Sequence, residues 1–219
     1  GATDVPVDAV LDWATENPAV ADFEVKLSDT GSLPASGVDV ADSTYDPGAL
    51  QFNTTYTWQV VSDFGGDTFE SALWSFTTVA LPDLVVGAPA GPAAGTAGQA
   101  FDLDLRIDNI GTADANGFVG QVLLSSDASV SGDDTVLADF TDTLPVGEGD
   151  DYSFNVALPD VPAGAYNLLF VADPGELIDE QSEANNLLTL PITVSDPVTV
   201  TATDPTGSTN ASVTQVDLT

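Results

Sequence analysis

Apolar and polar residues alternate with a period of two along most of this chain, and no segment has the spacing of an amphipathic helix. In one segment Phe23, Val25 and Leu27 alternate with Glu24 and Lys26. Such a strand places one apolar face on a core and one polar face in water, as in antiparallel sandwiches. The alternation therefore predicts an all-β chain, with further strands in the first part at 7–13, 56–60 and 73–76.

Turn residues divide the alternating segments into two modules and a tail. Leu81-Pro82-Asp83 interrupts the strand pattern, so the expected units are residues 1–80, 81–194 and 195–219. In the second unit a Gly- and Pro-rich loop at 87–98 is followed by predicted strands at 101–107, 118–125, 152–158, 166–172 and 187–194. This spacing favours an immunoglobulin-like (Ig-like) sandwich of about seven strands. The tail is too short for its own core and contains strand candidates at 198–201 and 212–218.

The charge of the chain limits its partners. Thirty-five acidic residues stand against Lys26 and Arg106, so the net charge is -33. This excludes nucleic acid, whose binding needs clustered basic residues, and disfavours anionic lipid. Self-repulsion on this scale destabilises a compact state unless counterions screen or bridge the charges. Twenty-eight of the acids are Asp, a short oxygen ligand suited to calcium, so calcium is the expected cofactor.

Composition also argues against catalysis and membrane insertion. The chain has no His and no Cys, which removes Ser–His and Cys–His nucleophiles and disulfides. Acids are so abundant that a glycosidase-like carboxylate pair stays open but carries little information. No apolar run approaches the roughly 18 residues that span a membrane. We expect a non-enzymatic protein, either cytosolic or secreted by a prokaryote and stabilised by metals.

The first module carries a recognisable corner motif. The segment 50–60 runs Leu-Gln-Phe-Asn-Thr-Thr-Tyr-Thr-Trp-Gln-Val, and Leu11-Asp12-Trp13 follows the opening Gly1-Ala2-Thr3. These stretches resemble fibronectin type III domains, which implies that the Tyr56 hydroxyl bonds back to the backbone and fixes the corner. Compared with that family, the first strand is missing. Because the chain begins with Gly1 rather than Met, we expect a processed protein or part of a longer one.

Three stretches of the second module resemble the CARDB family, named for a cell-adhesion-related domain of bacteria that is also found in archaea. They are Pro82 to Val86, Ile107 to Ala113 with its Asn-x-Gly strand end, and the closing stretch Asp173 to Asn186. The resemblance covers about 82–194. It implies an Ig-like fold in extracellular proteins with no catalytic activity of its own.

Two oxygen-rich loops are the candidate calcium sites. One follows a strand and offers Asp127, Asp133 and Asp134. The other is the closing stretch, with Asn186 beside the candidates Asp173, Glu176, Asp179, Glu180, Glu183 and Asn185. Neither has EF-hand spacing, so the prediction rests on the density of oxygen ligands. The alternative is a solvated acidic surface, as in salt-adapted proteins.

Aromatic and glycosylation signals are weaker. Trp13, Trp58 and Trp74 would suit a sugar-binding platform, but they fit inward strand positions at least as well, which favours the core. Asn53 and Asn210 begin glycosylation sequons, which chance also produces in so Thr-rich a chain.

The leading functional hypothesis is a non-catalytic extracellular structural or adhesive protein that polymerises with itself. A missing edge strand leaves a groove, and a strand of the next subunit would fill it through Val213, Gln215, Val216 and Leu218. One repeat of a tandem-repeat surface adhesin would also form a linear array. The remaining alternatives are an accessory module that binds cell-surface polysaccharide or a protein, and a cell-wall protein of a salt-loving organism.

Overall fold

The computed structural model describes residues 1–15, 22–198, 200–203 and 209–213, with side chains described up to residue 198. The secondary structure of these residues is all β, which confirms the predicted fold class. The chain divides into two compact units, Gly1–Leu81 and Pro82–Thr219.

The first unit contains eight strands among its described residues. They are β1 (Ala2–Val5), β2 (Leu11–Asp12), β3 (Phe23–Ser28), β4 (Val38–Val40), β5 (Thr44–Tyr45), β6 (Thr55–Phe64), β7 (Asp67–Glu70) and β8 (Trp74–Thr78). One sheet has the order β1-β8-β6-β3-β4, with β7 also paired to β6, and β2 forms a second sheet with β5. Strand β1 runs parallel to β8. The glycines of the β6–β7 turn, Gly65 and Gly66, both have positive φ, as a tight turn between two antiparallel strands requires.

A small apolar core lies in this first unit. Its buried members come from both sheets and from the turn before β6, and they are Leu11, Phe23, Val25, Leu50, Tyr56, Val60 and Phe76. The Tyr56 hydroxyl accepts a hydrogen bond from the Gln51 backbone N–H at 3.0 Å, as the corner motif implied. The fibronectin type III resemblance itself stays a prediction.

The strand predicted over 7–13 is shorter than expected. The Ala9 N–H donates to the Pro6 carbonyl in a turn, so the regular strand is confined to Leu11–Asp12. Period-two alternation over this stretch reflects side chains that reach the core from a turn as well as from a strand.

The second unit is larger and contains two sheets that enclose one core. Its strands are β9 (Leu84–Ala90), β10 (Ala94–Thr96), β11 (Ala100–Asn109), β12 (Ala115–Ser125), β13 (Thr135–Leu144), β14 (Gly149–Ala157), β15 (Gly164–Ala172) and β16 (Leu187–Ser195). The sheet orders are β10-β16-β15-β12-β13 and β14-β11-β9. Phe118 and Phe170 are fully buried between them, and burial of such a side chain stabilises the fold by about 1.5–3 kcal/mol.

Two features of the second unit differ from the sequence prediction. The loop predicted at 87–98 is largely strand, because β9 continues to Ala90 and β10 pairs in parallel with β16. Strand β13 was not predicted, since its five apolar residues are interspersed with Asp and Thr and do not keep a regular period of two. It lies at the edge of the sheet beside β12, where exposed polar side chains are tolerated.

The tail forms an antiparallel pair of its own, β17 (Val200–Thr203) with β18 (Thr209–Val213). The two strands are shifted relative to the predicted segments at 198–201 and 212–218. Of the proposed donor residues, Val213 ends β18, and Gln215, Val216 and Leu218 lie outside the described residues.

Candidate functional site

The first acidic loop uses its carboxylates within the loop itself. Asp127 Oδ1 accepts the Ser129 N–H at 2.8 Å, and Asp134 Oδ2 accepts the Ser131 N–H at 2.7 Å. Asp133 accepts the Ser131 hydroxyl at 2.6 Å, and this hydrogen bond lowers the pKa of Asp133. These acids therefore act as turn-forming acceptors, the usual role of Asp in short loops.

The closing loop joins β15 to β16 and starts with a buried carboxylate. Asp173 is only 2% exposed, and its Oδ2 accepts the Ile178 N–H at 2.8 Å. Asp173 and Glu176 both have positive φ, at 42° and 46°. Two non-glycine residues in the left-handed region within one short loop are uncommon, and such conformations are typical of functional loops.

The other polar residues of this loop form a shared network around Asn186. The Asn186 amide donates to Glu180 Oε1 at 2.8 Å and to Glu183 Oε2 at 3.2 Å. Glu180 also accepts the Leu84 N–H through Oε2. Glu176 and Asp179 lie on the exposed side of the loop. The sequence-predicted acids of this loop are thus close together but differ in burial.

Three oxygens of this loop have no hydrogen-bond donor among the described residues. They are Asp173 Oδ1, Asn185 Oδ1 and Asn186 Oδ1, all buried. The one other buried polar side-chain atom without a partner in the described part of the chain is Trp13 Nε1. Because a buried acceptor without a donor costs about 1–3 kcal/mol, this concentration in one loop calls for an explanation.

The network also carries uncompensated negative charge. Burial raises the pKa of Glu180 to about 7, against the lowering effect of its hydrogen bonds from Leu84 and Asn186. Burial likewise raises the pKa of Glu183, and the charges of Glu176, Asp173 and Asp179 raise it further. In both cases burial is the largest cause of the raised pKa, and neighbouring carboxylates add to it.

The two acidic loops meet at a cavity of about 300 Å³ beside β15 and β16. The first loop contributes 128–130 to its wall, and its three candidate acids do not line it. The closing loop contributes Asp173, Glu176, Glu183 and Asn186, and the apolar side consists of Val171 and Leu187. No three carboxylates of the described residues converge closely enough to hold a metal by themselves. A cation here would need amide, hydroxyl or water oxygens as well.

The closing loop is also fastened to the start of the second unit. Asn185 Nδ2 donates to Asp83 Oδ1 at 2.7 Å, and Gln181 N donates to the Pro82 carbonyl at 2.9 Å. Asp83 and Asn186 are buried polar residues that the sequence-based choice of site residues left out. The adjacent pair Asn185-Asn186 was the available signal for Asn186, whereas Asp83 had none.

A second candidate site is an apolar groove in the first unit. It has a volume of about 460 Å³ and is lined by residues 9–14 along β2, by Ala2 and Val5 of β1, and by Trp58, Trp74, Ser75 and Phe76. Strand β2 pairs only with β5 among the described strands, so its other backbone edge is free of strand partners there. Val10 is 53% exposed in this groove.

The three tryptophans lie side by side, and they are not all in the core as the sequence favoured. Trp13 and Trp58 are half-buried and pack against the core, whereas Trp74 is 39% exposed. The Trp58 and Trp74 ring centroids are 4.8 Å apart, and those of Trp13 and Trp58 are 6.4 Å apart. Trp74 lies two residues before Phe76, at which the pairing of β8 with β1 begins.

The remaining sequence signals lie outside these two sites. Asn53 is exposed in a turn before β6, and Asn210 lies in β18, where side chains are not described. Among the described residues there is no helix that is long and apolar enough to cross a membrane.

The all-β fold and the two-sheet core define an Ig-like sandwich protein. The chain belongs to the CARDB family, whose model matches residues 81–190 and hence half of the 219 residues. The CARDB domain is a non-enzymatic Ig-like fold that is typically extracellular. This confirms the second of the two resemblances.

Comparison with solved structures gives partial matches. The CARDB domain of the PF1109 protein from Pyrococcus furiosus, in complex with di-metal ions, is 21% identical with a TM-score of 0.43, over 52% of this chain and 90% of that one. The solution structure of the same domain is also 21% identical with a TM-score of 0.43, over 52% of this chain and 95% of that one. A β-glucosidase from Erythrobacter marinus is 17% identical with a TM-score of 0.37, over 52% of this chain and 16% of the enzyme. No curated protein matches the chain.

Proposed function

We propose that the chain is a non-catalytic structural or adhesive module of an extracellular surface filament. Neighbouring copies are joined head to tail by β-strand complementation, and calcium stabilises the array. The observation that carries this proposal is the apolar groove beside the strand-free edge of β2.

The chemistry of the groove suits an added strand. Backbone groups of Leu11 and Asp12 would pair with it, and alternate side chains would lie on Trp58 and Trp74. An exposed strand edge beside apolar surface is otherwise a site of uncontrolled association. A contact of this kind joins two different surfaces of one chain, and it builds a filament when the rotation between copies does not close a ring.

The donor we propose is the segment 212–218 of a second copy. Val213 lies at the end of β18, and Val216 and Leu218 follow it as apolar residues two positions apart. In the covalent version, the chain is one repeat of a tandem-repeat adhesin, and the tail strand of each repeat pairs with the groove of the next repeat. Both versions place modules of this kind in a linear array.

Charge gives calcium its role in this proposal. Each copy carries a net charge of -33, so neighbouring copies repel one another. Monovalent salt screens such repulsion, whereas a divalent cation can also bridge carboxylates. We therefore expect filaments to depend on calcium more than on ionic strength.

Electron microscopy of the full chain, with calcium and after chelation, tests the proposal. The test variant is Val10→Asp, which puts a charge in the groove at a 53% exposed position. The matched control is Val38→Asp, in the same unit at a 48% exposed position outside the groove lining. We expect filaments from wild type and the control with calcium, and single particles from Val10→Asp.

Single particles of wild type in both conditions would overturn the proposal, as would undiminished filaments from Val10→Asp. The competing function is polysaccharide binding by the exposed Trp74 ring, which stacks against Trp58. Affinity electrophoresis in neutral polysaccharide tests it. Retardation of single particles that disappears in Trp74→Ala would replace the filament by a binding module.

A further inference from the structure

We infer that the closing loop holds one hard divalent cation of the calcium class between Asp173 and Asn186. The rim carboxylate of Glu183 and hydroxyl or water oxygens complete its ligands, because no three carboxylates of the described residues converge closely enough to hold a metal together. This goes beyond the proposed function, because it concerns a cation inside the fold of a single chain rather than cations that bridge neighbouring copies.

The orphan oxygens carry the inference. Asp173 Oδ1 and Asn186 Oδ1 are buried and without a donor among the described residues, and both side chains line the same cavity. Asp173 is 2% exposed and Asn186 is 6% exposed, so bulk water does not compensate them. A hydrogen-bond donor or a cation must therefore lie close to these two oxygens.

Protein donors do not meet this need. The Asn186 amide N–H groups already face Glu180 and Glu183, and Asp173 Oδ2 already accepts Ile178 N–H. The chain has only two basic residues. Lys26 pairs with Glu24 in the other unit, and Arg106 pairs with Asp108 and Asp151. A bound cation would compensate both oxygens, which no hydrogen-bond donor of the described residues reaches in this acidic cavity.

Ligand chemistry selects the class of cation. All ligands available at the cavity are oxygens: the carboxylates of Asp173, Glu176 and Glu183, the Asn186 amide oxygen and the Ser129 hydroxyl. Zinc and copper favour imidazole and thiolate, and the chain contains no His or Cys. Magnesium demands a regular octahedron and keeps its water, whereas calcium accepts six to eight oxygens in irregular loops.

The position of the site gives the cation a structural role. The neighbour of Asn186 in the chain, Asn185, donates a hydrogen bond to Asp83. The Asn186 amide and the Leu84 N–H both donate to the carboxylate of Glu180. The cation therefore stabilises the same network that joins the closing loop to the first strand of the second unit. The left-handed conformations of Asp173 and Glu176 are retained because the loop is shaped around it.

Calorimetric titration of the chelator-treated full chain with calcium chloride tests the inference, with thermal unfolding as a second readout. Asp173→Asn keeps the shape of the side chain and an acceptor for Ile178. The control, Asp139→Asn, removes the same charge from an exposed position on β13. We expect the calcium affinity to fall by about tenfold or more in Asp173→Asn and to stay within about twofold in the control.

Glu183→Gln provides a variant that folds even if Asp173→Asn does not, because Glu183 is exposed. It should also weaken calcium binding, and the calcium-induced rise in melting temperature should shrink in parallel. The inference is overturned if wild type binds no calcium, or if magnesium chloride at equal ionic strength raises the melting temperature equally. It is also overturned if Glu183→Gln binds calcium as wild type does. Filament formation is tested with a different variant, Val10→Asp. A negative result for calcium binding in the closing loop therefore does not overturn the proposed filament, and the reverse also holds.

Discussion

The Asn185 side-chain amide donates a 2.7 Å hydrogen bond to the carboxylate of Asp83, 102 residues earlier in the chain. Asp83 is 9% exposed. The bond joins the end of the closing loop to the residue that precedes β9, and Val86 N–H donates to the Asn185 carbonyl at 3.3 Å in the same contact. The closing stretch therefore functions as a clamp on the beginning of its own domain.

Asn185→Ala should destabilise the second unit by about 2 kcal/mol, because a hydrogen bond to a charged group is worth about 1.5–3 kcal/mol and its loss leaves Asp83 buried. Urea unfolding measures the change. The control is Asn155→Ala, which removes a 2.7 Å bond to Asp102 at the surface and should cost less than about 0.5 kcal/mol. Equal effects of the two substitutions would contradict the clamp.

Asn109→Ala should be among the most damaging polar substitutions, at about 3 kcal/mol. Asn109 is fully buried, and its amide donates to the Ala113 and Leu144 carbonyls at 2.9 Å each. Its oxygen accepts the Asp83 and Gly111 N–H groups. Thermal unfolding of the variant should show the loss, whereas the exposed Asn116→Ala should be near neutral. A small effect at Asn109 would mean that water replaces these bonds.

Tyr56→Phe should destabilise the first unit by about 1 kcal/mol, since it removes the acceptor of the part-buried Gln51 N–H and keeps the ring. The comparison is Tyr166→Phe, whose hydroxyl donates to the Pro162 carbonyl at an exposed position and should matter less. Urea unfolding is followed by tryptophan fluorescence for the first unit, where all three tryptophans lie, and by circular dichroism for the second unit. The reverse order of effects would show that the corner does not stabilise this unit.

The metal-free protein should lose stability as pH rises from about 4.5 to about 7. Burial raises the pKa of Glu180 from 4.5 to about 7, so the folded state binds this proton more tightly than the unfolded state. The stabilisation is fully present below pH 4.5 and is gone above pH 7. Because Glu180 is half-buried, we expect a change of about 1 kcal/mol after allowance for solvent screening.

Chelator-treated wild type and Glu180→Gln, unfolded in urea across this pH range, isolate that contribution. General repulsion among the acids affects both proteins alike, so the difference between their curves reports Glu180. A difference that does not vary with pH would show that Glu180 ionises at its ordinary pKa.

Much of the fold followed from local patterns in the sequence. Alternation predicted β11, which carries core residues at every second position, and turn residues at the ends of apolar segments predicted β12 and β15. The strand end at Asn109 and the Gly65-Gly66 turn were also predictable, since their geometry depends on neighbouring residues. Strand β13 and the strand character of 87–98 were not, because pairing with β12 and β16 outweighs their weak local preference.

The candidate site was predictable only in outline. The density of oxygen ligands in the closing stretch pointed to the loop, yet the same density pointed equally to Asp127, Asp133 and Asp134, which cap turns instead. Burial separates the two loops. Asp173 and Asn186 are buried because they directly follow β15 and precede β16, where the loop is still next to the sheet. No local sequence pattern predicts this burial.

The sequence by itself determined the all-β class, the extreme negative charge, the absence of His and Cys and the family resemblance of the second module. These depend on composition and short-range spacing. Only the tertiary structure decided which acids are desolvated, which oxygens are left without a donor and which tryptophan faces solvent. Those properties depend on contacts such as Asn185 with Asp83, between residues that are far apart in the chain and adjacent only when it folds.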